Sequence, residues 1–197
     1  MLRRSIYFLF VAFLQAPLNG AEIGEPAPRF DVIGRDGASY ASECLEGRIV
    51  VLESFNRDCP YCANHFKTGA MQELQERYVD RGVVWLVVNS THRDHDTYRD
   101  PEQALEDWRT WGLHATDYID DHRGQLARAF GFKVTPQFAI IDSRGVLAYT
   151  GAVDDRPSTG GDPREARNYV VEALEALLAE KPVRIPRTRP YGCGIKW

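Results

Sequence analysis

The apolar positions of the chain follow two different periods. Two short apolar runs, IVVLESF from Ile49 and VVWLVV from Val83, are bounded by turn residues, which is typical of buried strands in a sheet. Between them, apolar side chains recur at every fourth position from Phe66 to Tyr78, and this spacing predicts one helix from Pro60 to about Tyr78. A strand, a helix and a second strand in this order indicate a βαβ unit.

The rest of the domain is predicted to be a mixture of strands and helices. We expect a hairpin at Arg35-Asp36-Gly37, a helix from about Pro101, a short strand at DYIDD and a short helix at GQLARAFG. TPQFAIID and VLAYTGAV, joined by SRG, predict two antiparallel strands, and ARNYVVEALEALLAE predicts an amphipathic helix. This order favours a layered α/β domain with a mixed central sheet.

Both ends of the chain depart from this pattern. Residues 1–21 combine MLRR, an apolar run from Ile6 to Leu14 and the small, polar QAPLNGA, which predicts a signal peptide cleaved near Ala21. The run is shorter than the about 20 residues of a membrane span, so we expect no stable membrane insertion after cleavage; an uncleaved tether is the alternative. Residues 22–180 are the predicted domain, and residues 181–197 are a basic tail that carries Cys193.

Composition and charge narrow the function classes. The chain has 197 residues, of which 44% are hydrophobic, so one domain can bury a core without disulfides. The net charge is −4 and no basic stripe crosses the domain, so we expect no nucleic acid partner. Export, most simply to the periplasm, is compatible with persistent disulfides. The chain has four cysteines: Cys44, Cys59, Cys62 and Cys193.

The sequence CPYC lies where the first buried strand gives way to a helix. Pro60 suits the first helical turn, where its missing N–H costs no hydrogen bond. The unpaired N–H groups of that turn favour negative charge on Cys59, and such settings lower a cysteine pKa from about 8.5 to roughly 3.5–7.5. We therefore predict that Cys59 is the exposed nucleophile and Cys62 the buried resolving thiol. Pro60 restricts the ring of the disulfide, and Tyr61 offers an aromatic face to a substrate.

Two further positions fit this chemistry. Glu53 lies within the apolar strand that leads to Cys59, and burial would raise its pKa and make it a proton acceptor for Cys62. The alternative is an edge-facing glutamate on the polar side of the strand. Pro136 heads a later strand, as a residue without an N–H donor must. A cis bond there would expose the Thr135 backbone for pairing with a substrate chain, whereas a trans bond is the general default.

These motifs together resemble the thioredoxin fold. CPYC follows a buried strand and VTP comes about 75 residues later, at the place of the family's cis-proline, while Glu53 matches its buried acid. The insertion after VVWLVVNS and the ending PYGCGIKW are similar to the redoxin branch, an AhpC/TSA-related, peroxiredoxin-like group with a Gly-Cys-x-x-Lys-aromatic tail. The resemblance implies a three-layer α/β/α fold. Many members carry an apolar residue in place of Cys62, so the complete pair here favours dithiol exchange.

Two alternatives compete with this interpretation. A thiol peroxidase would carry Thr or Ser three residues before its reactive cysteine, where this chain has Asn56. A copper-binding or metal-delivery protein could use Cys59, Cys62 and His65, with His92 and His95 nearby. One cysteine pair without a second is a weak metal signal, and His65 is expected at the surface or the rim of the site. We therefore expect no metal and no cofactor beyond the cysteines.

Cys193 has two interpretations that the sequence leaves open. It forms a structural disulfide with Cys44, or it is a third redox thiol that resolves Cys59, with Arg187 and Arg189 favouring its thiolate. The sequence as a whole predicts an exported thiol–disulfide oxidoreductase. Its partners would be protein thiols and disulfides and an unidentified redox protein that recycles it, and the direction of electron flow stays open.

Overall fold

A five-stranded mixed sheet forms the centre of the molecule. The computed structural model describes residues 21–197, so the predicted signal peptide lies outside the described residues apart from Ala21. Its strands are β3 (Val50–Ser54), β4 (Val84–Asn89), β5 (Asp117–Asp120), β7 (Gln137–Ile141) and β8 (Leu147–Gly151). The strand order is β5-β4-β3-β7-β8, with β3, β4 and β5 parallel and β7 and β8 antiparallel to their neighbours.

Shorter strands lie outside this sheet. The hairpin predicted at Arg35-Asp36-Gly37 joins β1 (Asp31–Ile33) to β2 (Ser39–Ala41). A second two-stranded ribbon pairs β6 (Val134–Thr135) with β9 (Cys193–Gly194). The second ribbon joins the C-terminal tail to the segment that carries Pro136.

Helices and apolar clusters cover both faces of the central sheet, which confirms the predicted three-layer α/β architecture. Side chains of β3 alternate, so that Val51 enters one apolar cluster while Val50 and Leu52 enter the other. Leu74 and Leu174 pack in the cluster of Val51, from helices on that face. The helices are α1 (Pro60–Lys67), α2 (Ala70–Val79), α3 (Pro101–Thr110), α4 (Gln125–Ala129) and α5 (Tyr169–Leu178).

The single helix predicted from Pro60 to Tyr78 is wrong, because the chain forms two helices there. α1 ends at Lys67, and Gly69 takes a left-handed conformation with φ of 79°. The Thr68 hydroxyl donates to the carbonyl groups of Asn64 and His65, which closes the last turn of α1. The apolar period runs through this break, and so the spacing alone did not reveal it.

The tail of residues 181–197 docks along the domain. It first follows the edge of β8, where Thr150 donates to the Pro186 carbonyl and Thr188 donates back to the Thr150 carbonyl. It then crosses to β6, and the carbonyl of Lys196 finally accepts a hydrogen bond from the His92 amide. Within residues 21–197, no helix is long and apolar enough to cross a membrane.

Candidate active site

The two cysteines of CPYC stand at the start of α1. Cys59 is the residue that precedes the first helical turn, with Pro60 at the first position and Cys62 one turn inside. The loop before Cys59 is held by Asn56, whose side-chain oxygen accepts from the Asp58 amide and whose amide group donates to Thr91. These two hydrogen bonds fix the loop that places Cys59 between the preceding strand and α1.

The segment that contains Pro136 lies directly against Cys59. The Thr135–Pro136 peptide bond is cis. The Cys59 sulfur lies 2.9 Å from the Thr135 carbonyl oxygen, to which Cys59 donates a hydrogen bond when it is protonated. The structure therefore brings together Cys59, Cys62, Thr135 and Pro136, four of the residues selected from the sequence.

The environment of the two thiols separates their pKa values. A hydrogen bond from the Cys62 thiol is the largest cause that lowers the pKa of Cys59 to about 4, and the Cys193 thiol and the Cys62 amide add to it against the cost of burial. Burial raises the pKa of Cys62 well above its usual range, and the neighbouring Cys59 sulfur raises it further. Cys59 is thus a thiolate at neutral pH, while Cys62 keeps its proton.

The prediction of an exposed Cys59 is wrong. Its relative exposure is only 1%, equal to that of Cys62. The physical reason is that the tail covers Cys59. β9 pairs with β6 beside Cys59, and the side chains of Tyr191 and Cys193 pack against the apolar cluster that contains Cys59. In this structure a substrate disulfide has no direct path to the Cys59 sulfur.

Cys193 lies at the site rather than beside Cys44. Its register partner across the ribbon is Thr135, and the Thr135 hydroxyl donates to the Cys193 carbonyl at 3.5 Å. Burial, and then the Cys59 sulfur, raise the pKa of Cys193 to about 11. Arg187 was expected to favour the Cys193 thiolate. It lies instead on the edge of β8, where it forms an ion pair with Glu22. All four cysteines are free thiols in the structure.

Glu53 is fully buried on β3. Its Oε2 atom accepts hydrogen bonds from the Trp85 indole and from Gln75, at 2.8 and 2.9 Å, while Oε1 has no partner within residues 21–197. Burial raises the pKa of Glu53 to about 7, against the effect of these two hydrogen bonds. Its negative charge is the smallest of the causes that raise the pKa of Cys62.

A buried polar cluster that the sequence did not predict fixes the tail beside α1. The Tyr191 hydroxyl donates to Asp154 at 2.5 Å, and His65 lies 3.3 Å from the same hydroxyl. His65 is buried, contrary to the expectation of a surface or rim position, because the tail and the Asp154 loop cover it. No spacing or motif links these three positions, which are far apart in the chain.

The flanking residues of the motif have different surroundings. Pro60 is exposed, and the half-buried Tyr61 ring lies 5.7 Å from the Tyr191 ring, so the tail covers the aromatic face predicted for the substrate. The Arg57 guanidinium pairs with the buried Asp107. The positive charge of Arg57 is therefore compensated by Asp107.

The copper-binding alternative requires a cluster of metal-binding side chains. Within residues 21–197, no group of three or more His, Cys, Asp or Glu side chains is arranged to hold a metal ion. His65 faces Tyr191 and Asp154. His92 is half exposed and bonds within its own loop, where its Nδ1 atom accepts from the Asp94 amide.

The sequence model of the Redoxin family matches residues 22–170. The chain belongs to the Redoxin family. Membership of this family, on a thioredoxin-like scaffold, supports a redox function in general. The tail of residues 181–197 lies beyond the matched region. The chain matches no curated protein sequence.

Solved structures share the fold of this Redoxin family member. An uncharacterized conserved protein from Geobacillus kaustophilus is 26% identical, with a TM-score of 0.79 over 91% of this chain and 94% of that one. A hypothetical protein from Sinorhizobium meliloti is 24% identical, with a TM-score of 0.77 over 91% and 96%. A putative thiol:disulfide interchange protein DsbE from Chlorobium tepidum is 21% identical, with a TM-score of 0.59 over 81% and 99%.

Proposed function

We propose that this chain is an exported thiol–disulfide oxidoreductase that exchanges a Cys59–Cys62 disulfide with the thiols of other proteins. The observation that carries this proposal is the pair itself, which combines a Cys59 pKa of about 4 with a buried, protonated Cys62 at one helix start. Only a thiolate attacks a disulfide, and a second thiol must then release the product. No cofactor beyond the cysteines is needed for this exchange.

In the proposed reaction, the Cys59 thiolate attacks one sulfur of a substrate disulfide and releases the other as a thiolate. A mixed disulfide between Cys59 and the substrate results. Cys62 then transfers its proton to Glu53 and attacks the Cys59 sulfur, which releases the second substrate thiolate. The enzyme ends oxidised and the substrate reduced by two electrons, and the reverse sequence oxidises a substrate dithiol. An unidentified redox protein would restore the starting form.

Substrate binding is assigned to the backbone at Thr135, next to Pro136. An extended peptide can add to the edge of a short strand through main-chain hydrogen bonds, and β6 would offer such an edge beside Cys59 to a peptide that takes the place of β9. Pro60 and Tyr61 border the same place. The proposed substrates are therefore proteins with a cysteine in an extended segment.

Export is the part of the proposal that rests on residues 1–21. Their charged, apolar and small-residue regions support it. A similar fold occurs in a thioredoxin described as an exposed lipoprotein of Streptococcus pneumoniae, 22% identical with a TM-score of 0.52. Cell fractionation of the full chain with a C-terminal tag tests it, and we expect a periplasmic product shortened by about 21 residues.

The peroxidase alternative is not favoured by the structure. Asn56 occupies the position where a peroxidase would carry a hydroxyl. Its side-chain oxygen accepts a hydrogen bond from the Asp58 amide, and its side-chain amide group donates to the Thr91 hydroxyl. The Asn56 side chain is therefore not free to orient a peroxide.

The experiment that tests the proposed function is turnover of a disulfide-bonded peptide, with reduced glutathione as the electron donor. We expect the wild type and Cys44→Ser to be equally active, because Cys44 is exposed and lies outside the site. Cys59→Ser should be inactive. Equal turnover by wild type and Cys59→Ser, or none by either, would show that the proposal is wrong.

A further inference from the structure

The substrate edge of β6 is already occupied by the chain's own C-terminus. Across the ribbon, Thr135 is in register with Cys193 and Val134 with Gly194, and the Ile195 amide donates to the Lys133 carbonyl at 3.1 Å. We call residues 191–194 the docked segment. It lies antiparallel to β6 in the extended conformation that a bound peptide would take.

Gly192 allows the docked segment to approach the Thr135–Pro136 peptide unusually closely. Its φ of 141° lies in a region that favours glycine. A Cβ atom at this position would stand only 1.9 Å from the Thr135 carbonyl oxygen and 3.2 Å from the Pro136 nitrogen. The neighbouring Gly194 differs, because a Cβ atom there would meet nothing within 4 Å. The sequence thus has glycine where only glycine fits the docked position.

The docked segment is anchored on both sides. At its first residue, the Tyr191 hydroxyl donates to the buried Asp154 and lies beside His65. After it, the Lys196 carbonyl accepts a hydrogen bond from the His92 amide at 2.7 Å, and the Arg128 guanidinium lies over the Trp197 ring, 4.5 Å from the ring centroid. These contacts hold the Cys193 thiol beside the Cys59 sulfur, where it is one of the groups that stabilise the thiolate.

We propose that the docked segment is a built-in occupant of the substrate edge and that Cys193 is a second resolving thiol, which forms an intramolecular disulfide with Cys59. This inference rests on the proposed function, because it requires Cys59 to form mixed disulfides. It means that the docked segment competes with a substrate for the edge of β6. It also means that three thiols take part in the exchange, in the order Cys59, Cys193 and Cys62. A substrate must displace the docked segment to reach Cys59, which is otherwise buried.

The chemistry balances without any further reactant. Once Cys59 holds a substrate sulfur as a mixed disulfide, the docked segment returns and the Cys193 thiolate attacks the Cys59 sulfur. The Cys59–Cys193 bond forms as the bond to the substrate breaks, and the substrate thiolate takes up the proton that Cys193 has lost. Cys62 then attacks Cys59 and expels the Cys193 thiolate, which is reprotonated by the proton from Cys62. The net change is the same two-electron oxidation of the Cys59–Cys62 pair.

The first test removes the normal resolving thiol. Cys62→Ser is prepared in a Cys44→Ser background, fully reduced, treated with oxidised glutathione, quenched with acid, alkylated and mapped by peptide mass spectrometry. We expect a Cys59–Cys193 disulfide with little glutathione retained. The matched variant, which adds Cys193→Ser, should instead accumulate glutathione on Cys59. A stable Cys59–glutathione bond with Cys193 free in the first protein would overturn the inference and leave the proposed function intact.

The second test opens the docked segment without changing any cysteine. Because Gly192→Ala places a Cβ atom against Thr135, we expect Cys59 in the reduced protein to react with iodoacetamide at least about tenfold faster than in the wild type, equivalent to about 1.4 kcal/mol of weaker docking. Gly194→Ala is the matched control and should stay within about twofold of wild type. Equal rates in all three proteins would refute an occupied substrate edge, whereas failure of Cys59 to react in any of them would refute the proposed function itself.

Discussion

At the scale of single residues, the chemistry depends on how Cys59 and Cys62 share one hydrogen-bond network. Cys62 has its proton because burial penalises its charge, and it uses that proton to stabilise the charge on Cys59. The pKa values of the two thiols are therefore opposite consequences of one contact. A change at the resolving thiol must consequently alter the nucleophile.

This coupling predicts the effect of Cys62→Ala on Cys59. Because the Cys62 thiol is the largest cause of the low pKa, its removal should raise the midpoint of Cys59 ionisation from about 4 by at least about one unit. Thiolate absorbance in the ultraviolet, followed against pH in the reduced protein, measures this midpoint. Cys44→Ser should leave it unchanged. A midpoint that does not move in Cys62→Ala would show that the Cys62 thiol does not set the Cys59 pKa.

Glu53 carries a stability cost that varies with pH. Its folded pKa of about 7 lies above its normal value of 4.5, so the folded state binds the proton more tightly than the unfolded chain does. The resulting stabilisation is fully present below about pH 4.5 and is lost as the pH rises towards 7. Above about pH 7, the buried Glu53 carboxylate is charged, and this stabilisation is absent.

Glu53→Gln removes this charge and keeps the shape, with an oxygen that can still accept from Trp85 and Gln75. Relative to wild type, its free energy of unfolding should rise between about pH 4.5 and 7 by about 1–3 kcal/mol and then stay constant. Urea unfolding at several pH values measures it. Resolution of a Cys59 mixed disulfide should slow by at least about tenfold, since proton acceptors contribute such factors. A parallel pH dependence in both proteins, with unchanged resolution, would argue against a role for Glu53.

The sequence predicted part of this residue-level arrangement. Cys59, Cys62, Thr135 and Pro136 were selected from motifs that are local in the chain, and the structure brings them to one place. Glu53, selected in the same way, is buried on the strand that leads to Cys59. The contact of Tyr191 with Asp154 and His65 was not foreseen, and neither was the burial of Cys59. Both depend on where the tail returns in space, and a tail without periodicity gives no local signal for that.

At the scale of elements, the loop before Cys59 is tied to α3. Asp107 on α3 is fully buried and accepts hydrogen bonds from Arg57 in the loop and from Arg99, the latter through two contacts of 2.9 Å. A carboxylate in this position is compensated only because both guanidinium groups reach it. α3 therefore contributes to the position of Cys59 although it carries no catalytic residue.

Asp107→Asn should destabilise the protein, because two cations lose their buried partner. We expect a loss of about 2–3 kcal/mol in the free energy of unfolding, measured with urea at neutral pH. Glu106→Gln is the matched control on the exposed side of α3 and should change stability by less than about 0.5 kcal/mol. Equal effects of the two substitutions would show that the Asp107 ion pairs add nothing to the stability of this loop.

The elements themselves were largely predictable, and the exceptions have a common cause. Apolar periodicity gave the strands of the sheet and the helices α3 to α5, because each has one face or one run that the core must bury. It missed the break at Gly69, which keeps the apolar stripe of α1 and α2 continuous, and it missed β6 and β9, which are two residues each. Short strands of this kind form through a long-range partner and not through a pattern of their own.

At the scale of the whole molecule, folding stability and redox potential are linked by a thermodynamic cycle. The reduced protein gains stability from the Cys59 thiolate, and the oxidised protein, which has no thiolate, does not. Because the folded pKa of Cys59 is lowered from 9.0 to about 4, this contribution is complete above pH 9.0 and disappears as the pH falls through about 4. Any gain in the folding stability of the reduced form over that of the oxidised form makes the Cys59–Cys62 disulfide a stronger oxidant.

The cycle makes a prediction that two independent measurements must satisfy. In a Cys44→Ser, Cys193→Ser background, only the Cys59–Cys62 disulfide can form. Urea unfolding of the reduced and the oxidised protein should show the reduced form gaining stability over the oxidised form as the pH rises from about 4 to 8. Equilibration with glutathione should show the folded pair becoming more oxidising than the unfolded pair over the same range, by about 30 mV for each 1.4 kcal/mol. If the stability difference does not change with pH, Cys59 is not a thiolate in the folded protein, and the direction of exchange must be set by something other than its charge.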